Sequence, residues 1–313
     1  MGSNARRYDT YRSGGGNVNT QRKVTIAVIL IVPIFLGFVL ALVGQNRQLR
    51  VPIHPTGPRI GLVKIADVIY SSDDHVRRLR EFFDDPTVRG VIVRVNSPGG
   101  AVAPSQEIYA EIKRYRDGGK PLVVSMGNVA ASGGYYIASP AHKIFANPGT
   151  LTGSIGVILQ FPKFQGLMDK LGIEMETIKS GKFKDVANPH RRITAQERAL
   201  LQGLLDDTHE QFLGDVAVVR PVDIDSLRTI ADGRILNGRQ AREVGLIDTL
   251  GTFQEALAYL RDHLGLPRDV KVVEKRRREP FVYDLIREHF TGLLPFTKAG
   301  PRPAGCYFLL QSF

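Results

Sequence analysis

The sequence predicts an α/β fold built on a largely parallel sheet, preceded by one transmembrane helix, and three observations carry that prediction. Strand-like and helix-like segments alternate with short connections from Arg59 onward, which implies right-handed crossovers between parallel strands. Two of those strands run into glycine-rich turns, NSPGG (Asn96 to Gly100) and ASGG (Ala131 to Gly134), at the carboxyl ends where such sheets gather their chemistry. Ahead of them, Val24 to Gly44 is a run of 21 residues without a charge.

At ~1.5 Å rise per residue, that run spans a bilayer core of roughly 30 Å. It exceeds the apolar region of a cleaved leader, about 7 to 15 residues, and lacks an A-x-A site, so it reads as an anchor. Pro33 is tolerable there, since membrane helices accept proline. Residues 1–23 form a polar, basic tail with Arg6, Arg7, Arg12, Arg22 and Lys23 against Asp9 alone. Fewer bases follow the span closely (Arg47, Arg50, Arg59), which orients the amino terminus to the cytoplasm and the rest outside it. The net charge of +11 comes without a basic-aromatic pattern or a nucleic-acid motif, so a membrane surface accounts for the tail and no nucleic acid is expected. Cys306, the single cysteine, permits no disulfide within the chain.

Residues 45–59, with Pro52, Pro55 and Pro58, read as a stiff linker, and the globular domain is expected over residues 60–264. Arg59 to Ile69 is its first strand. Asp73 to Asp85 is a helix that starts on acids and carries Val76, Leu79 and Phe83 on one face. Val88 to Gly100 is a buried-type strand ending in its turn, and the next helix sets Ile108, Ile112 and Tyr115 at helical spacing before stopping at Gly118-Gly119. PLVVSM (Pro121 to Met126) is a strand leading to NVAASGGYY. His142 to Val157 reads as a strand, a turn and a glycine-flanked segment with Ser154. A helix follows, then a strand within EMETIKSGKFKDV, then a loop bearing Lys179, Lys182 and Lys184. Thr194 to Val219 is a long helix with Leu201, Leu204, Leu205, Phe212 and Val216 as its apolar face. Two shorter helical pieces fill residues 222–264. Residues 265–313 show no core pattern.

The chemistry concentrates at Ser132. Ala130 and Ala131 leave its surroundings open, and the glycines after it let backbone approach a substrate. A strand-to-helix junction also offers free amides that stabilise negative charge. A serine needs a base to attack at neutral pH. None of the seven histidines stands in a motif: His75 and His209 look like helix-face residues, while His142 and His190 have no evident acid beside them. No HExxH or CxxC spacing suggests a metal, and no cofactor motif is present. A lysine base is the alternative, and it must be held neutral.

NSPGG, AASGGYYIAS, LTGSIGV and TIKSGKFKD, in this order and spacing, resemble the signal peptide peptidase A family of serine proteases, within the Clp protease and crotonase superfamily. The resemblance covers roughly Ile60 to Leu260. It implies a crotonase/Clp-protease-like fold, Ser132 as nucleophile, Lys184 as general base and Ser154 as the serine that orients that lysine. Gly99, Gly100 and Gly133 become the candidates for the oxyanion hole. Lys182, two positions earlier, fits a solvated or substrate-facing lysine better. A lysine titrating near ~10.4 must fall to about 7 to serve as base, at a cost of roughly 4 kcal/mol, which demands apolar burial. The family further implies remnant signal peptides as substrates, no cofactor, and homo-oligomers in which the lysine can come from a neighbouring subunit. The expected site is a bacterial-type inner membrane with the catalytic domain on its outer side. A crotonase-like acyl-CoA enzyme and an inactive membrane scaffold are the competing functions.

Overall fold

The computed structural model describes residues 57–275 and 307–309, together with Leu30, Ile31 and Pro33. The chain divides into two units, Met1–Thr56 and Gly57–Phe313. In the first, Leu30, Ile31 and Pro33 are helical and exposed. The basic tail, the rest of the membrane span and the linker as far as Thr56 lie outside the described residues. Among the described residues, no helix is long and apolar enough to cross a membrane.

The second unit is organised on an eight-stranded sheet. Its strands are β1 (Arg59–Ala66), β2 (Val88–Ser97), β4 (Leu122–Ala131), β5 (Lys143–Ala146), β6 (Leu151–Gly153), β7 (Ile235–Asn237), β8 (Thr249–Leu250) and β9 (Lys271–Glu274); β3 (Gly99–Ala101) lies outside it. The helices are α1 (Asp73–Asp84), α2 (Val102–Asp117), α3 (Gly133–Ala138), α4 (Gln165–Leu171), α5 (Ala195–Val219), α6 (Ile224–Ile230), α7 (Gly238–Glu243) and α8 (Phe253–His263). The main path runs β7-β6-β4-β2-β1-β9, and every pair in it is parallel except β6 with β7. The predicted α/β class with a mostly parallel sheet is what the chain adopts.

Strand alternation divides the core in two. Val63, Ile65, Val93, Val95, Val124 and Met126 face the helical layer of α1, α2, α3 and α5, whose Leu79, Ile112, Tyr136 and Phe212 are buried against them. Ile60, Leu62, Ile92 and Val123 face the other way, onto Ala256 and Leu260 of α8. Burial on both faces explains why these strands read as near-continuous apolar runs.

Strand β4 positions the site by changing partners along its length. Its first half pairs with β5 (Val123↔Lys143) and its second with β6 (Ala131↔Gly153), while β2 runs along its other edge. On that edge the register jumps from Val95↔Met126 to Ser97↔Ala130. The extra residues of β4 bulge out. Asn96 fills the gap, its Oδ1 accepting from the amides of Asn128 (3.0 Å) and Val129 (3.2 Å). Thr150 and Thr152 donate their hydroxyls to the carbonyls of Gly127 (2.7 Å) and Ala130 (2.6 Å).

The structure departs from the sequence-based expectation in four places. The strand expected within EMETIKSGKFKDV is absent: residues 173–179 have no regular structure, Met175 is 58% and Ile178 94% exposed, and no strand among the described residues pairs with them. Residues 222–264 hold three helices, not two. The expected apolar face of α5 is covered at Phe212 and Val216, only half-buried at Leu201 and Leu205, and open at Leu204. Beyond Pro267, where no core pattern was read, β9 adds to the edge of β1 and a tenth strand, β10 (Tyr307–Leu309), pairs antiparallel with β3.

Candidate active site

The turn at Ser132 is built by the ends of three strands. Ser132 follows β4 directly, and its amide donates to the carbonyl of Gly153 at the end of β6 (2.8 Å). Its backbone sits at φ 53° and ψ −118°, a region that side-chain-bearing residues rarely occupy, and α3 begins at the next residue. A strained serine at a strand-to-helix turn is an arrangement that presents a hydroxyl outward from a rigid frame. The first bond inside α3 runs from Tyr136 N to Ser132 O (2.8 Å), so the amides of Gly133 and Gly134 lie ahead of the helix's own ladder.

The NSPGG turn packs against this one. A Cβ on Gly134 would stand 2.6 Å from the carbonyl oxygen of Ser97, and one on Gly100 would stand 2.1 Å from that of Ile69, so both contacts require glycine. Ser97 Oγ donates to the carbonyl of Asp67 (2.5 Å) and accepts from the amide of Gly99 (3.1 Å). The Gly99 amide is thereby engaged inside its own turn. Ile69 N donates to Gly99 O and Ala101 N donates to Ile69 O, which by strand alternation turns the amide of Gly100 toward the opposite edge of β3, where β10 pairs. The Gly100 amide thus faces β10, while that of Gly133 lies ahead of the α3 ladder, as an oxyanion hole would use it.

Ser154 is brought to the same place. It follows Gly153, the partner of Ala131, and is itself left-handed at φ 50° with its amide donating to Arg234 O (2.8 Å). Ser132 is 1% and Ser154 7% exposed. Ser132 Oγ lies 3.5 Å from the carbonyl oxygen of Gly156. A cavity of about 570 Å³ opens beside Ser154, lined also by Gly156 and Val157 and by Gln202, Asp206 and His209 of α5.

Lys184 is not brought together with Ser132. It lies in a series of turns after α4, its side chain exposed, its amide donating to Gly181 O (3.1 Å). Among the described residues, no apolar enclosure of the kind a neutral lysine needs surrounds it. Its neighbourhood is ionic. Asp185 Oδ2 accepts from Arg191 Nε (2.9 Å) and Oδ1 from Lys179, and Arg191 also binds Glu197 (2.8 Å from Nη1). The bonds from Arg191 and Lys179 hold the Asp185 carboxyl well below the usual carboxylate range. Arg191 and the Thr194 amide lower Glu197 to about 2. Lys182 stacks over the ring of Phe183 at 5.5 Å, at the surface.

No described histidine contacts Ser132. His142 Nδ1 accepts from the amide of Leu122 (3.2 Å), and burial lowers its pKa. His75 is likewise lowered by burial in α1, and His190 Nδ1 sits 2.8 Å from Met168 Sδ. His209, read from the sequence as a helix-face residue, lines the cavity of Ser154, and its buried Nε2 has no hydrogen-bond partner among the described residues. Its spacing along α5 marks only a helix face, so the signal is tertiary. Asn96 was likewise read as a turn residue, and its work at the β4 bulge depends on a register that sequence does not display. Among the described residues, no group of three or more His, Cys, Asp or Glu could hold a metal ion.

Residues 114–267 match Peptidase family S49, a stretch that includes Ser132, Ser154 and Lys184. The chain is 44% identical to a candidate protease of Synechocystis over 57% of this chain and 64% of that protein. It is 38% identical to a candidate signal peptide peptidase SppA of Enterococcus faecium, over 66% of this chain and 59% of that protein. With Protease 4 of Salmonella typhi the identity is 33%, over 70% of this chain and 35% of that protein. The chain thus spans less than two thirds of the length of each of these relatives. The stretch that carries the Ser132 turn thus matches Peptidase family S49, and the relatives named here are proteases or a candidate signal peptide peptidase.

Proposed function

We propose that the chain is a membrane-anchored serine endopeptidase, with Ser132 as nucleophile and Lys184 as general base, that degrades remnant signal peptides. The observation that carries this reading is the strained, nearly buried Ser132 between two glycine turns, in a stretch that matches a peptidase family. Lys184 takes the Ser132 proton, Ser132 Oγ attacks the peptide carbonyl, and the amides of Gly100 and Gly133 receive the developing oxyanion. The leaving amine departs with a proton, and water then hydrolyses the acyl-enzyme. Ser154 orients the lysine.

Exposure of Lys184 fits an assembly in which the base reaches Ser132 of a neighbouring copy. Leu167, Leu171, Ile173, Met175 and Ile178 are exposed along the same stretch of chain, an apolar surface that a second copy would cover. The uncharged run from Val24 to Gly44 supplies the anchor and the basic tail the orientation, with the catalytic domain outside the cytoplasm. A membrane-held protease meets apolar peptides at the surface where they are left.

The test is hydrolysis of an apolar, signal-peptide-like substrate by wild type and Ser132→Ala. The variant is expected to keep its fold and lose both hydrolysis and labelling by a fluorophosphonate. Hydrolysis at the wild-type rate would remove Ser132 from the mechanism. Saturable binding of a CoA thioester by a chain inert on every peptide would favour the acyl-CoA reading instead.

A further inference from the structure

We propose that Arg191 is the positioning residue of the base, holding the Lys184 loop to the start of α5 through Asp185 and Glu197. This rests on the reading of Lys184 as the base and adds a residue to it. The segment around Lys184 has no apolar core of its own: residues 180–184 are exposed, and its backbone closes only local turns, Lys184 N to Gly181 O, Val186 N to Phe183 O and Asn188 N to Asp185 O (each 3.1 Å). Turns of that kind leave the direction of a side chain loosely defined.

Arg191 supplies what the turns lack. Its Nε donates to Asp185 Oδ2 (2.9 Å) and its Nη2 to the Asp185 carbonyl (3.2 Å), so the residue next to Lys184 is gripped at both side chain and backbone. On its other side, Nη1 donates to Glu197 Oε2 (2.8 Å), and Nη2 reaches Oε1. Glu197 is itself fixed: its carboxylate accepts from the Thr194 amide (2.9 Å) while the Thr194 hydroxyl accepts from the Glu197 amide (3.2 Å), a capping box on the longest helix of the domain. The Glu197 side chain is 4% and that of Asp185 11% exposed, so these are enclosed pairs, unlike the isolated surface pairs elsewhere on the chain. Lys163 ties down the far end of the segment, donating to the carbonyls of Asn188 (2.8 Å) and Arg191 (3.1 Å). A planar five-donor fork can engage two carboxylates and a carbonyl at once, whereas an ammonium cannot keep that geometry.

The experiment compares kcat and KM for peptide hydrolysis by the full chain carrying Arg191→Ala, Arg191→Lys, Asp185→Asn or Lys184→Ala, with thermal midpoint and assembly size measured alongside. Positioning predicts that Arg191→Ala and Asp185→Asn lower kcat by about 10- to 100-fold with KM nearly unchanged, and that Arg191→Lys recovers part of the loss. Unchanged kcat in Arg191→Ala, beside an inactive Lys184→Ala, overturns the positioning role and leaves the base in place. A fall in kcat that tracks loss of the thermal midpoint or of the assembly, and that lysine does not relieve, overturns it as well. An active Lys184→Ala overturns the base itself, whatever Arg191 does.

Discussion

The Ser132 turn and the Lys184 loop are built by different physics. Around Ser132 the backbone is over-determined: β2, β4 and β6 converge, Gly134 and Gly100 pack on carbonyls, and Ser97, Asn96, Thr150 and Thr152 satisfy backbone groups along the β4 bulge and its neighbouring turns. Around Lys184 no such frame exists, and side-chain charges do the holding. The contrast teaches that a strained nucleophile needs a rigid core behind it. A base that must reach another surface is better carried on a segment fixed by a few directional bonds.

The larger way to break this contrast is to disturb the packed half. Gly134→Ala puts a methyl group against the Ser97 carbonyl, and forcing the two turns apart is expected to cost about 1–3 kcal/mol and to lower the melting temperature by roughly 2–4 °C per kcal/mol. Activity should fall further than stability, because the same shift moves both candidate oxyanion amides. Thermal melts and hydrolysis rates check it, and a variant with both at wild-type values would mean that the turns are not rigidly coupled.

A smaller effect sharpens the other half. Asp185 and Glu197 have depressed folded-state pKa values against unfolded values of about 3.9 and 4.3, so their contribution is complete above pH ~4.3 and is lost as pH falls toward about 2. Arg191, about a third exposed, leaves the cation's side of both pairs open to screening, so they also weaken with salt. Amide-exchange protection over residues 181–188 is therefore expected to hold at pH 5 and to fall between pH 4 and 2, while protection at Ser132 and Tyr136 persists. Equal loss at both places would erase the distinction.

Legibility followed the same division. The Ser132 turn announces itself because its determinants are local: two alanines, the serine and two glycines stand in one run, and β2 and β4 are apolar enough to be read as buried strands. Thr194 and Glu197 mark the start of α5 by their spacing alone. The exposed stretch at residues 173–179 misled because Met175 and Ile178 suggest a strand, whereas strand formation needs a neighbour that the described residues do not supply there. The bond from the Gly99 amide to Ser97 Oγ was not legible, since it depends on the fold of the turn. The Arg191–Asp185 grip and the place of His209 beside Ser154 join residues whose proximity only tertiary structure creates.

On the proposed reading the site has two halves, Ser132 on one copy and Lys184 on its neighbour. Mixing the inactive Ser132→Ala and Lys184→Ala chains, under conditions that let subunits exchange, tests it most directly. Recovered peptide hydrolysis is the expected result, since a copy with intact Ser132 can then receive an intact Lys184 from its neighbour. If both variants fold, exchange and remain inert when mixed, the base does not cross between copies. If Lys184→Ala is active alone, the base is another group, with His209 the first to replace.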